Sequence, residues 1–168
     1  MYHTIREFLD DWRQESALTQ KIMDALSDAS LAQRVGPGDN RTLGRVAWHI
    51  ATTIPELLGR TGLAVQGASD HAPVPAQASA IADAYRQAAA SLASQVEAQW
   101  RDATLLQEDD MYGMMWSRAM TLQVLIRHEI HHRAQMTILM RQAGLVVPGT
   151  YGPSREESAK MGMPEPAV

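Results

Sequence analysis

Ser117-Arg118-Ala119-Met120-Thr121-Leu122-Gln123-Val124-Leu125-Ile126-Arg127-His128-Glu129-Ile130-His131-His132-Arg133-Ala134-Gln135 opens a segment that reads as one long helix, running on to Gln142 or Ala143. Ser117 supplies a hydroxyl for the N-cap, and Gly144 supplies the residue that most readily closes a helix in the left-handed conformation. Inside it His128 and His132 stand four residues apart. At that spacing two side chains lie about 40° apart around the axis and on one face, within reach of a single ion.

Working outward, the first segment places Ile5, Phe8, Leu9, Trp12, Thr19, Met23 and Leu26 on one stripe, as steps of three and four residues do in a helix with one buried face. This helix is expected to stop near Ala29, because Gly36-Pro37-Gly38-Asp39-Asn40 suits neither helix nor strand. A second helix follows from Asn40 or Thr42 to about Thr61, with Leu43, Ala47, Ile50, Ile54, Leu57 and Leu58 as its apolar face. Pro55 inside it predicts a kink or local break. Residues 62–75 form a long connection, and residues 76–101, rich in Ala, Gln and Ser, a third helix set more by propensity than by an apolar stripe.

No strand alternation and no internal repeat is apparent. The expected fold is therefore all-α, a four-helix bundle whose long second connection permits a crossover topology. The bundle is expected over residues 1–147. Residues 148–168, with Pro148, Pro153, Pro164 and Pro166, are expected to form a Pro/Gly-rich tail, docked in part and frayed at its end.

Composition excludes several functional classes. The chain of 168 residues carries 15 Lys and Arg against 19 Asp and Glu, a net charge of −4 that gives no field to gather nucleic acid. It contains no cysteine, so neither a thiolate nucleophile nor a thiolate ligand is available from the chain itself, and any metal must be held by His, Asp or Glu. No segment has the 18 or more apolar residues of a membrane span. The opening stretch, Met1 to Trp12, mixes charges with apolar residues and lacks a secretory pattern, so the expected location is the cytoplasm.

A third imidazole for the His128/His132 pair is offered by the second helix. His49 shares a polar strip with Thr42, Arg45, Thr52, Thr53 and Glu56, about 100° from the middle of that helix's apolar face at the 3.6-residue period. It borders the core, as a ligand facing an open cleft would. Taken alone, the same three residues read equally as structural or solvated histidines. His3 at a chain end and His71 in a loop are expected to be solvated, and His131 either supports a ligand or is simply exposed.

The segment Arg41-Thr42-Leu43-Gly44-Arg45-Val46-Ala47-Trp48-His49-Ile50, followed by His128-Glu129-Ile130-His131-His132-Arg133-Ala134-Gln135 and by the exit run Leu145-Val146-Val147-Pro148-Gly149-Thr150-Tyr151-Gly152-Pro153, resembles the DinB family of DinB/YfiT-like metalloenzymes. The likeness covers nearly the whole chain. It implies a crossed-over four-helix bundle in which His49, His128 and His132 bind a divalent metal ion, zinc or nickel. Ala134 stands where the family often has Gly, a change that leaves the ligands untouched.

The resemblance further implies a metal-dependent enzyme, in the leading version a thiol S-transferase that uses a low-molecular-weight thiol beside its small-molecule substrate. The alternatives are a metal-dependent hydrolase and a non-catalytic, stress-associated metal-binding protein. Family members commonly dimerise. A homodimer is also expected because Leu122, Ile126, Ile130 and Met140 lie roughly opposite His128 on the last helix, where one bundle core would not easily bury them. Glu56 is a better acid or base candidate than Glu129, which reads as a surface charge; Arg45 and Arg133 either bind an anion or line a solvated face.

Overall fold

Thr4 accepts a hydrogen bond from the Glu7 amide while the Glu7 carboxylate accepts from the Thr4 amide, and this reciprocal cap starts α1 (Ile5–Asp24). The computed structural model describes residues 1–36 and 38–164. Pro37 of the expected break, and residues 165–168 of the expected tail, lie outside the described residues. α1 buries Phe8, Trp12, Ile22 and Met23, and its Trp12 indole donates to the Ala89 carbonyl at 3.1 Å. It ends earlier than the pattern suggested, because Ser27 caps a separate 3-10 turn at Asp28–Ala32.

The remaining long helices are α2 (Leu43–Gly59), capped by Thr42, α3 (Ala78–Gln99), and α4 (Arg118–Gln142), capped by Ser117 and followed by Gly144 at φ +76°. Pro55 does not break α2, which continues through it to Gly59. The connection after α2 is held down by the Trp48 indole, which donates to Ala72 O, and by the Gln66 amide, which donates to the Ser91 hydroxyl.

Strands are present where the sequence showed none. β1 (Arg34–Gly36) pairs antiparallel with β2 (Asp39–Thr42) before α2, and β3 (Glu108–Met111) pairs antiparallel with β4 (Met114–Ser117) before α4. The second hairpin turns through Tyr112 and Gly113, at φ 60° and 85°. Positive values at both positions mark a tight turn usually signalled by Asn-Gly, so Tyr112 hides it. Strands of three or four residues are also too short to display alternation.

The two hairpins expose an internal repeat that was not legible either. Each half runs long helix, 3-10 turn, hairpin, capped helix. The amide opening the second helix of each half donates to a glutamine carbonyl that precedes its hairpin: Leu43 to Gln33, and Arg118 to Gln107, both at 2.8 Å. The repetition is one of geometry, with little identity between the halves to reveal it.

The main contacts run α1 to α3, α3 to α2, α2 to α4 and α4 to α1, closing a four-helix bundle. α2 and α4 are antiparallel: Thr61 beyond the end of α2 accepts from Arg118 at the start of α4, while Val46 near the start of α2 shares a cavity with Leu139 near the end of α4. Leu122, Ile126 and Met140 are buried within this chain and Ile130 packs half-buried against the core. The face that suggested a homodimer is thus covered by α1 and its neighbours.

Glu129 and Arg133 depart from the surface placement expected of them. Glu129 is 1% exposed and Arg133 2% exposed. Neither is a surface charge. Arg133 donates to Glu15 Oε2 at 2.6 Å, to Glu15 O and Thr19 Oγ1 at 3.0 Å, and to the Tyr151 hydroxyl at 2.6 Å. Glu129 Oε1 accepts from Thr19 and Tyr85, leaving its buried Oε2 without a partner among the described residues. Burial outweighs those hydroxyls and the nearby guanidinium, and pushes the Glu129 carboxyl up to about 7.

After α4 the chain packs Val147 into the core, and the short helix α5 (Arg155–Lys160) follows from a Ser154 cap. Lys21 holds Gly149 O and Glu157, and Arg141 pairs with Glu156. Tyr151 closes the Arg133–Glu15 pair by donating to Glu15 Oε2 at 2.7 Å.

Removing one member of a buried ion pair strands the other, at a cost of about 3–5 kcal/mol. Arg133→Met should lower unfolding stability by about that amount in chemical denaturation. Glu15→Leu combined with Arg133→Met should recover much of the loss, because neither member of the pair is then left buried without the other.

Candidate metal centre

The antiparallel pairing of α2 and α4 brings His49 to His128 and His132. His49 Nε2 lies 3.0 Å from His128 Nε2, and one potential ligand atom from each of the three residues falls within 4.8 Å of the other two. The rings stand edge to face, with centroids 4.8, 4.8 and 4.3 Å apart. Nitrogens bound about 2.1 Å from one ion at angles of about 90–110° are themselves about 3.0–3.4 Å apart, so the His49–His128 separation suits a shared divalent cation.

The neighbours favour the required tautomers. Thr53 donates its hydroxyl to His49 O at 2.7 Å, leaving oxygen lone pairs toward His49 Nδ1 at 3.4 Å. His132 Nδ1 lies 2.8 Å from Gln135 Oε1, which can only accept, so that nitrogen carries the proton and Nε2 keeps its lone pair. The amide nitrogen of Gln135 then donates to His131 Nε2 at 3.0 Å. His131 is accordingly placed behind a candidate ligand, through Gln135, and does not join the cluster.

Burial lowers the affinity of all three imidazoles for a proton, and adjacent His and Arg groups add to the effect. His128 falls to about 4. Three neutral imidazoles are the donor set that zinc, nickel and related ions accept, and among the described residues no carboxylate enters the group. The chain's own residues therefore fit a metal with one side left open.

The open side faces only the Arg45 end of the α2 polar strip. Thr52 and Thr53 are buried, and their hydroxyls return to backbone carbonyls one turn back. Glu56 pairs with Arg60 at 2.8 Å and accepts from the Tyr112 hydroxyl at 2.7 Å, which leaves it poorly placed as a free base. A cavity of about 230 Å³ instead opens beside His49 and His132 toward the start of α2, lined by Arg41, Arg45, Val46 and Gln135. His3 is exposed at the chain end, and His71 lies exposed in the connection after α2.

Sequence reasoning missed Gln135 and Arg41 as parts of this site. Gln135 had a usable signal, since it lies three residues after His132 on the same helical face. Arg41 had none, because its approach depends on the β1–β2 hairpin.

The profile described as DinB family matches residues 1–166. The chain is 43% identical over 168 residues to a Bacillus subtilis protein described as uncharacterized protein YrdA, and all of both chains is covered. A crystal structure of a DinB-like protein from Bacillus cereus superposes with a TM-score of 0.86 at 47% identity, covering 90% of this chain and 100% of that one. A second, the DinB-like protein YjoA of Bacillus subtilis, gives 0.66 at 16% identity over 86% of this chain and 97% of that one, a likeness of fold alone.

Each candidate ligand can be tested separately. His128→Ala and His132→Ala should purify without bound divalent metal, whereas His3→Ala and His71→Ala should keep the wild-type content by elemental analysis. Gln135→Leu should weaken the metal by about 10–100-fold, the usual effect of removing a ligand's hydrogen-bond partner. Full occupancy in both histidine variants would remove this assignment.

Proposed function

This chain belongs to the DinB family, and from that premise we propose that it is a metal-dependent enzyme whose divalent ion, zinc or nickel, is held by His49, His128 and His132. The observation that carries the proposal is the convergence of three neutral imidazoles beside a cavity, with no carboxylate completing the group among the described residues. A closed set of four protein ligands would favour a structural ion, whereas three with an open side favour catalysis.

The leading reaction is S-transfer from a low-molecular-weight thiol to a small electrophile. A divalent ion bound here supplies Lewis acidity, which lowers the pKa of a thiol or water that reaches it. The chain provides the rest. Gln135 and Thr53 hold the ring orientations, Val46 excludes water from one wall, and the side toward Arg41 and Arg45 admits the reactants. A sulfur–carbon bond forms as the bond to the leaving group breaks, and the thiol proton passes to solvent. Because the chain has no cysteine, the sulfur must come from outside it.

Among the described residues no helix is long and apolar enough to cross a membrane, which suits a reaction between small polar molecules. Cobalt-substituted protein should develop a sulfur-to-metal charge-transfer band on addition of 2-mercaptoethanol, and the band should be absent in His128→Ala. If small thiols leave the cobalt spectrum unchanged while the metal is fully bound, S-transfer is excluded and hydrolysis becomes the better reading.

A further inference from the structure

The cavity beside the histidines does not end at Arg45. A second cavity of about 200 Å³ shares Arg41, Val46 and Gln135 with it, and continues along Val35, Ile138, Leu139 and Gln142. One end of this composite cleft is polar, cationic and next to the three imidazoles; the other is apolar. Val35 and Ile138 remain 41% and 61% exposed on its rim, large aliphatic groups left facing water at the edge of a concave site.

The charges at the polar end decide what can bind. No acidic side chain lines either cavity among the described residues. Arg41 is engaged by Asp39 through its Nε and Nη2, at 3.3 and 3.0 Å to the same carboxylate oxygen. Arg45 has no hydrogen bond or ion pair from its guanidinium among the described residues, yet it is close enough to His49 to depress that imidazole's proton affinity. Two guanidiniums against one carboxylate leave one net positive charge from the side chains at the mouth, to which a divalent ion on the three imidazoles would add. That positive mouth suits an anion and rejects a cation, and the guanidinium fork of Arg45 matches the planar carboxylate.

We propose that the small molecule taken by this site is a carboxylate carrying a short aliphatic chain, with Arg45 binding the carboxylate and Val46, Ile138 and Leu139 covering the chain. For the reacting end of that molecule the inference rests on the metal-dependent reading above. Gln135 is a weaker anchor than a guanidinium, since its Oε1 faces His132 and one of its amide N–H groups is given to His131. Arg45 is exposed and belongs to no buried network, so its replacement should leave the bundle intact.

The test uses the full chain loaded with zinc, titrated with hexanoate, acetate, hexylamine and hexyl phosphate, and followed by calorimetry and by the methyl resonances of Val46, Ile138 and Leu139. Hexanoate should bind about tenfold more tightly than acetate and should outcompete both the amine and the phosphate. Arg45→Gln should weaken hexanoate about tenfold without changing zinc content, and Arg45→Lys should restore part of the loss. Ile138→Ser should abolish the preference for hexanoate over acetate.

Equal hexanoate affinity in wild type and Arg45→Gln would overturn the assignment, as would tighter binding of hexyl phosphate or of hexylamine. So would no binding of hexanoate at all, including the case in which sedimentation shows a second copy covering Val35 and Ile138. The two readings fail separately. Loss of the thiol response in cobalt protein with Arg45-dependent hexanoate binding intact would remove the S-transfer reading alone, whereas a normal thiol response with no Arg45 dependence would remove only this one.

Discussion

The buried pair of Arg133 and Glu15, at 2.6 Å, fixes the rotation of α4. That helix carries two polar stripes displaced by one residue, His128/His132 and Glu129/Arg133, which lie about 100° apart around the axis. The first is half-buried and the second fully buried, and a desolvated guanidinium is tolerated only where a carboxylate meets it. Turning α4 by a residue would strand Arg133 in an apolar environment. With Arg133 committed to α1, the histidine stripe has one direction left, toward α2, where His49 waits.

The same pair reaches the end of the chain. Tyr151 bonds both Arg133 and Glu15, so the segment beyond α4 is tied to the face of α4 adjacent to the histidines. Lys21, Glu157, Arg141 and Glu156 continue this attachment along α1 and α4. The polar network thus joins α1, α3, α4 and the C-terminal segment behind the candidate metal centre, while α2 closes it from the front. Rigidity of this kind matters to a site made from side chains on separate helices, since small displacements of a ligand are costly in affinity and in rate.

The two hairpins serve the site differently. β3–β4 sets the start of α4 and places Tyr112 against Glu56 and Arg60, so that the carboxylate nearest in sequence to His49 is committed to those partners. β1–β2 sets the start of α2 and delivers Arg41 to the cavity mouth. One hairpin closes a side and the other equips the opening. The two halves therefore differ at the positions that border the three histidines.

Helix positions and the histidine set were readable because they depend on local rules. Thr42, one of the two starts offered for the second helix, and Ser117 cap their helices, and Gly144 ends α4, since capping is settled by neighbours in the chain. His128 and His132 share a face by helical periodicity alone; His49 was joined to them through a family motif that spans the chain. Other features depended on contacts that no local rule contains. Glu129 and Arg133 looked like surface charges because their partners Thr19, Tyr85 and Glu15 lie on other helices, more than forty residues away. The β3–β4 hairpin escaped notice because a two-residue turn with Tyr at its first position carries no ordinary signal. The sequence by itself determined the helices and which side chains could bind an ion. The tertiary structure decided where those side chains meet and which way the site opens, because both depend on burying charges whose partners come from distant parts of the chain.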